Sequence, residues 1–289
     1  MENMRGNVSE TATITVNPAT CIRCGGCQDV CPDHIFSLSD MGVTTQYQEH
    51  CISCGHCIAV CPTDSVQHSG LDADEFIPID TEKAAPAENI SQFIRGRRSC
   101  RAYKKEVPSR EVLEKLVDVA RFAPTGHNYQ NVSLMVITDA GMIRRLSGLA
   151  AEFFGGLAGM MEENPGAFDE KLLGFQFGFK MAHEFHTQGK DRIFRGAPVV
   201  ILTCGEKSES SAAHNCYNAL FHIVLMAEAL GLGSCINGYF PGAAPHVPEI
   251  GEILAIPEDH ELFGCVTVGY PVRKFKKIPV RQEADVTWK

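Results

Sequence analysis

The chain has 289 residues, of which 44% are hydrophobic and 21% charged, ordinary values for a globular protein able to bury a real core in one large domain or two smaller ones. The formal net charge is −9, unevenly spread: through Ile90 there are 13 acidic residues against Arg5, Arg23 and Lys83, whereas the remainder holds 22 acidic and 23 basic residues. An acidic front on a near-neutral body argues for two domains of different origin and excludes nucleic acid as a partner, since phosphate binding needs a basic face.

The opening MENMRGNVSETATITV has no apolar run after a basic start, so no secretory signal is expected. The longest apolar stretch, Ala219–Leu232, is interrupted by His222 and Glu228 and falls short of a membrane span. Of the 13 cysteines, eight sit in two tight groups, unlike the even scatter of a small secreted disulfide scaffold. A cytoplasmic location is therefore expected, with the cysteines as metal ligands or free thiols.

The first group is Cys21-Ile-Arg-Cys24-Gly-Gly-Cys27-Gln-Asp-Val-Cys31-Pro32, and it recurs as Cys51-Ile-Ser-Cys54-Gly-His-Cys57-Ile-Ala-Val-Cys61-Pro62. Three thiolates two residues apart on a looping backbone can close around three irons of one cube, and Gly25, Gly26 and Gly55 let that backbone curl close. In this pattern the fourth cysteine ligates the other cluster. One 4Fe–4S cluster would take Cys21, Cys24, Cys27 and Cys61, and the second Cys51, Cys54, Cys57 and Cys31. Zinc sites also use C-x2-C steps, but a zinc ion gains nothing from a third step with a crossing fourth cysteine. Residues 11–80 resemble a bacterial two-cluster ferredoxin, which implies a short wire for single electrons.

After Val66 the chain becomes acidic and Pro/Ala-rich, with Asp72–Glu75, Pro78 and Lys83–Ala87, which reads as a surface connection. The expected division is a ferredoxin-like domain over 1–80, a linker over 81–90 and a second domain over 91–289. Beyond the linker, Ser109 is a plausible N-cap for a helix carrying Val112, Leu113, Leu116, Val117 and Ala120 on one face. Val132–Ile137, Pro198–Leu202 and Cys265–Val268 read as buried strands, and Ala212–Leu230 as a long helix, apolar almost all round and so internal.

Four segments of this second part then matter together: Ile94–Tyr103 with Arg97, Arg98, Ser99 and Arg101; Ala123–Gln130 with Asn128; Ala229–Gly238; and Gly269-Tyr-Pro271 followed by Arg273, Lys274, Lys276, Lys277 and Arg281. The three arginines with Ser99 form a compact donor set that can grip a phosphate monoester, or else a solvated basic face. In order and spacing the four segments resemble the nitroreductase family of FMN-dependent oxidoreductases, over residues 90–289. The resemblance implies an α+β fold with a central, mostly antiparallel sheet flanked by helices, and an intertwined homodimer. It places Arg97, Arg98 and Ser99 on the FMN phosphate and ribityl chain and sends Arg101 toward the flavin ring, where a fixed cation would stabilise the reduced form. It puts Asn128 at the ring edge, an amide from Ile236, Asn237 or Gly238 near flavin N5, and Lys277 on the phosphate.

Asn128 can equally be a turn residue, and Gly231 or Gly233 a plain helix stop. Many family members continue the second segment with proline, where this chain has Asn131. No G-x-G-x-x-G follows a strand, so no separate dinucleotide domain is expected. His183-Glu-Phe-His186 reads as a helix surface with no further ligand nearby, and Cys100, Cys204, Cys216, Cys235 and Cys265 as buried free thiols. The Phe/Met-rich stretch from Phe153 to Phe185 is either core or a lid shaping a substrate pocket.

The resulting expectation is an FMN-dependent, nitroreductase-like oxidoreductase passing electrons from two 4Fe–4S clusters to FMN. The acceptor would be an electron-poor small molecule such as a nitroaromatic, quinone or activated alkene. No catalytic acid stands out; the flavin carries the chemistry. The donor would be a ferredoxin- or flavodoxin-type protein or NAD(P)H. Two alternatives stay open: an electron-transfer module between redox proteins, and an NAD(P)H-driven flavin reductase with the clusters as outlet.

Overall fold

The computed structural model describes residues 12–289; residues 1–11, part of the opening stretch read above for a targeting signal, lie outside them. The described chain forms two compact units, one running to Ala84 and including Gly126–Gln130, the other made of Ala85–Thr125 and Asn131–Lys289. No helix among the described residues is long and apolar enough to cross a membrane.

In the first unit the elements are β1 (Ile14–Val16), α1 (Gly26–Asp29), β2 (Phe36–Ser39), β3 (Gly42–Thr45), α2 (His56–Ala59) and β4 (Val66–His68). Strand β1 pairs antiparallel with β4, Ile14 opposite His68, and β2 pairs antiparallel with β3. The cysteine repeat is a structural repeat down to the backbone angles. Left-handed residues recur 30 positions apart: Arg23 (φ 57°) and Ser53 (φ 50°), Gly25 (φ 81°) and Gly55 (φ 73°), His34 (φ 54°) and Asp64 (φ 49°). Gly25 and Gly55 open the single-turn helices α1 and α2 in the left-handed conformation that favours glycine. Ile14, Ile35, Phe36, Cys57, Ile58 and Val66 make the small core. Part of the expected surface connection packs here as well: Leu71 and Phe76 lie against that core. A Cβ at Gly55 would stand 2.9 Å from the Phe76 ring.

The second unit runs α3 (Ala87–Gly96), α4 (Arg110–Ala120), β5 (Ser133–Ile137), α5 (Ala140–Glu163), α6 (Glu170–Leu173), α7 (Gln176–Thr187), β6 (Val199–Glu206), α8 (Ala212–Ala229), β7 (Gly233–Ile236), α9 (Tyr239–Ala243), α10 (Pro248–Leu254) and β8 (His260–Gly269). The first helix thus begins inside the stretch expected to be linker. Its sheet has the order β5-β6-β8-β7, antiparallel throughout. Ser109 caps α4 by accepting the Val112 N–H at 3.4 Å, as its position before an apolar-periodic run predicts. Helices α4 and α8 cover one core, with Leu116, Ile201, Ile223 and Val266 fully buried. Helices α5, α7 and α9 belong to the other, around Phe154, Phe194 and Phe240.

Two expectations are corrected by the packing. Helix α8 is not internal all round: Tyr217 and Phe221, one turn apart, are each 45% exposed, because only the face carrying Cys216, Leu220, Ile223 and Ala227 meets the sheet. Strand β7, for which the sequence offers no strand reading, is a sheet member. Of the two glycines read as a helix stop, Gly231 is the one that ends α8. Gly231 (φ 72°) is the left-handed residue after α8; its N–H reaches Glu228 O and the Leu232 N–H reaches Ala227 O, the paired bonds of a Schellman terminus. The Phe/Met-rich stretch is largely helical and divides by face. Phe154 and Phe179 stack with centroids 4.6 Å apart in the core, while Phe175 and Phe177 are exposed.

Candidate functional site

In the first unit Cys31 lines one cavity together with Cys51, Cys54 and Cys57, the grouping the crossing pattern requires. On the other side Cys21 and Cys24 lie near Cys27, and their charges add to the burial that raises its pKa. The Cys61 loop is tied to the Cys21 loop through Ser65. The Ser65 N–H donates to Cys61 Sγ (3.2 Å), its hydroxyl pairs with Thr20 Oγ1 (2.8 Å), and its carbonyl accepts the Asn17 N–H (2.8 Å). The equivalent amide one repeat earlier, Ile35 N–H, donates to Cys31 Sγ (3.4 Å). The fourth cysteine of each repeat thus receives a backbone N–H from four residues on, which stabilises negative charge on sulfur.

The thiols differ in environment. Cys57 is buried and its pKa is pushed up to about 11 by burial; Cys51 is raised for the same reason. At Cys61 burial also acts upward, but the N–H groups of Thr63, Ser65 and Val66 and the Thr63 hydroxyl outweigh it, and the pKa falls below its ordinary value. Iron binding at Cys57 must therefore displace a proton at neutral pH, as metal binding to thiols generally does. His68 was not singled out in the sequence. It is buried in β4 with Nε2 3.5 Å from Cys51 Sγ, and burial lowers its pKa. Nothing local marks it, since the partner stands 17 residues away.

In the second unit, three of the four sequence segments come together. The Ser99 stretch runs parallel to β7, with Ser99 bridging Ser234 and the Cys100 N–H on Ser234 O (2.8 Å). Farther along it lies against the Gly269-Tyr-Pro271 segment: Lys104 N–H donates to Tyr270 O (2.8 Å) and Val272 N–H to Ala102 O (3.0 Å). Tyr103 pins the stretch to β8, its hydroxyl 2.9 Å from Cys100 O and 2.8 Å from Thr267 Oγ1; burial raises its pKa far above the ordinary value. Gly233 permits this approach, since a Cβ there would stand 2.6 Å from both Cβ and Sγ of Cys100.

Arg98, Arg273 and Lys274 line one concavity with Gly231, Gly233 and the carboxylate-bearing Glu228. Arg97, Arg98 and Ser99 are half-buried and Arg101 is exposed. Among the described residues the three guanidinium groups have no anionic partner, so they are available to an added anion such as a phosphate. Lys277 lines a neighbouring concavity beside Gln92 and Phe93, and its segment neighbours Arg273 and Lys274 share the Arg98 concavity in its place.

The remaining candidates are placed differently. Asn128 belongs to the first unit, and its amide nitrogen donates to the carbonyls of Ile52 and Ser53 at 3.1 Å each. Asn237 is engaged throughout: its N–H on Cys265 O (2.8 Å), its amide nitrogen on Ile193 O (2.6 Å) and its Oδ1 accepting from Phe240 N (3.1 Å). That leaves the amides of Ile236 and Gly238. Ile236 follows Ser234 by two, so its backbone polar groups face the side of β7 away from β8, as those of Ser234 do. Asn131, the departure from the family pattern, accepts at Oδ1 from Asn215 Nδ2 (3.4 Å).

The His183–His186 pair has an acidic neighbour that sequence reasoning missed. Glu152 of α5 comes within 3.5 Å of His183 Nδ1 and 3.7 Å of His186 Nε2. Among the described residues, however, no three His, Cys, Asp or Glu side chains converge to hold a single metal ion. Cys100, Cys204, Cys216, Cys235 and Cys265 are all buried.

These arrangements agree with known proteins. A 4Fe–4S dicluster domain model matches residues 13–62, and the nitroreductase family model matches residues 94–270. An iodotyrosine deiodinase from Thermotoga neapolitana is 28% identical over 196 residues, covering 66% of this chain and 93% of its own. A Cr(VI) reductase from Pseudomonas sp. strain G-1 is 28% identical over 189 residues, covering 64% of this chain and 68% of its own. A nitroreductase from Bacteroides fragilis, solved with bound FMN, shares the fold with a TM-score of 0.56 at 21% identity, over 69% of this chain and 98% of the other. The cysteine repeat and the convergence of Arg98, β7 and the Tyr270 segment thus have one explanation: the chain belongs to the nitroreductase family and carries a 4Fe–4S dicluster domain ahead of its catalytic part.

Proposed function

We propose that this oxidoreductase holds two 4Fe–4S clusters in its first unit and FMN in its second, and reduces an electron-poor small acceptor such as a nitroaromatic, quinone or activated alkene. When bound, the clusters supply single-electron carriers and FMN supplies a centre that collects two electrons and gives them up as hydride. Cys21, Cys24, Cys27 and Cys61 hold one cluster, and Cys31, Cys51, Cys54 and Cys57 the other. Arg97, Arg98, Ser99, Arg273 and Lys274 grip the FMN phosphate as a set of charge-assisted donors, with Lys277 beside them. Arg101 places positive charge where the reduced ring becomes anionic, and the Ile236 or Gly238 amide offers it a donor. The relative named for Cr(VI) reduction supports a reductase role without fixing the acceptor.

The grouping of Cys31 with Cys51, Cys54 and Cys57, in a chain whose larger part belongs to the nitroreductase family, carries this reading. It calls for a protein electron donor. The 13 acidic against three basic residues through Ile90 suit a donor of ferredoxin or flavodoxin type with a basic docking face and salt-sensitive association. We place the protein in the cytoplasm as a homodimer. The test is anaerobic reduction by low-potential ferredoxin or by NAD(P)H, followed by EPR and flavin absorbance. Flavin reduction by ferredoxin only, and only with Cys21–Cys61 intact, supports the proposal. Bleaching by NAD(P)H before any cluster signal changes would reverse the direction of flow.

A further inference from the structure

The two cysteine repeats superpose position for position at an offset of 30 residues, so each place where they differ distinguishes one cluster from the other. One difference stands directly against a ligand. His68 occupies the position that Leu38 holds in the first repeat. Leu38 is 37% exposed and has no donor to offer Cys21. His68 is 7% exposed, and its Nε2 lies 3.5 Å from Cys51 Sγ, the counterpart of Cys21.

The tautomer is set by the backbone. The Gly70 N–H donates to His68 Nδ1 at 3.0 Å, so Nδ1 carries a lone pair and the ring proton resides on Nε2, facing the sulfur. The backbone that carries the ring is fixed on both sides: β4 pairs with β1, putting His68 opposite Ile14, and Leu71 bridges back to His68. The result is a neutral, buried N–H···S donor of fixed direction. A Cys ligand becomes more electron-rich when its cluster is reduced, so a donor hydrogen bond to it stabilises the reduced form more than the oxidised one.

Resting on the cluster reading above, we propose that His68 is a tuning residue that acts through Cys51 to make the cluster of Cys31, Cys51, Cys54 and Cys57 a stronger electron acceptor than it would be without the histidine. The Asp33 carboxylate lines the same cavity and opposes this effect, while its counterpart in the other repeat, Thr63, is neutral. The experiment must therefore vary His68 alone.

The test is an anaerobic EPR-monitored redox titration of the full chain and its His68→Leu variant, with iron and sulfide analysis of both. The expected result is that one midpoint falls so that the reduced-to-oxidised ratio at a fixed potential drops roughly tenfold, about 59 mV for a one-electron couple, while the other midpoint stays in place. Two clusters assembled in the variant with both midpoints unchanged would overturn the proposal. A native chain that assembles fewer than two clusters would overturn the underlying reading and the proposal with it. If the variant fails to assemble its second cluster, pulsed EPR of the reduced native protein labelled with 15N-histidine decides. With the label confined to the ring nitrogens and His56, which lines the same cavity, replaced by glutamine, a histidine 15N coupling on one cluster supports the assignment, and its absence from both overturns it.

Discussion

Replacing Gly233 with alanine tests whether the Ser99–Tyr103 stretch is held against β7 by close packing. A Cβ at this position would stand 2.6 Å from both Cβ and Sγ of Cys100, roughly 1 Å inside ordinary carbon–carbon and carbon–sulfur contact. Neither neighbour is the free end of a flexible chain. Cys100 is buried and its N–H is bonded to Ser234 O, so the whole stretch must move. Overpacking of this kind costs about 1–3 kcal/mol, which for a domain of this size lowers Tm by roughly 2–10 °C. The displaced stretch carries Arg101 and directly follows Arg97 and Arg98, so FMN affinity is expected to fall by roughly fivefold to a hundredfold if the cost of about 1–3 kcal/mol falls on the bound state, since 1.4 kcal/mol is one decade. Thermal unfolding and flavin-fluorescence titration of Gly233→Ala read the two effects. Adding Cys100→Gly removes both clashing atoms and is expected to restore most of the loss, a coupling a double-mutant cycle measures directly. Unchanged Tm and FMN affinity in the single variant, or no recovery in the double, would refute the packing argument.

Three further outcomes follow from the cysteines and from Asn237. Cys31→Ala is expected to remove the same cluster as Cys57→Ala, halving iron from roughly eight to roughly four atoms per chain and leaving an EPR signal matching that variant and not that of Cys27→Ala. Sequential ligation would give the opposite match. Burial raises the Cys204 thiol to about 12 and the Cys216 thiol to about 11. Because these folded-state values lie above the unfolded one, the stability they contribute is present below about pH 8.5 and is lost as pH rises toward 11–12. Urea midpoints should therefore decline from pH 8.5 to pH 10.5, less steeply in the Cys204→Ala,Cys216→Ala variant. Finally, Asn237→Ala removes the bonds to Ile193 O and Phe240 N from a residue only 9% exposed, and should cost about 2–3 kcal/mol of stability in chemical denaturation whether or not FMN is present. A loss seen only with the flavin bound would return Asn237 to the cofactor site.

Features set by neighbours in sequence were legible without coordinates. The C-x2-C-x2-C-x3-C-P steps place thiolates by local backbone curl, Ser109 caps its helix across three residues, and Gly231 ends α8 with bonds to the turn before it. Apolar runs likewise announced β5, β6 and β8; in the central β6 burial on both faces leaves no polar alternation, and the edge strand β5 is half-buried along most of its length.

Everything that depends on chain segments meeting across long separations was decided by the tertiary structure. Strand β7 is four residues long, too short and glycine-bearing for its pattern to outweigh the helix stop beside it; its pairing with β8 makes it a strand. Asn128 could serve a turn or a ring edge by sequence, and the fold turns its amide nitrogen to Ile52 and Ser53. Glu152 reaches His183 and His186 only because α5 packs on α7, with glycines at 148 and 155 opposite the two rings. His68 looked like one polar residue in a short strand. Burial, a backbone donor at Gly70 and the return of β4 beside Cys51 make it a directed hydrogen-bond donor, since local sequence sets which groups a segment carries and only packing sets what they face.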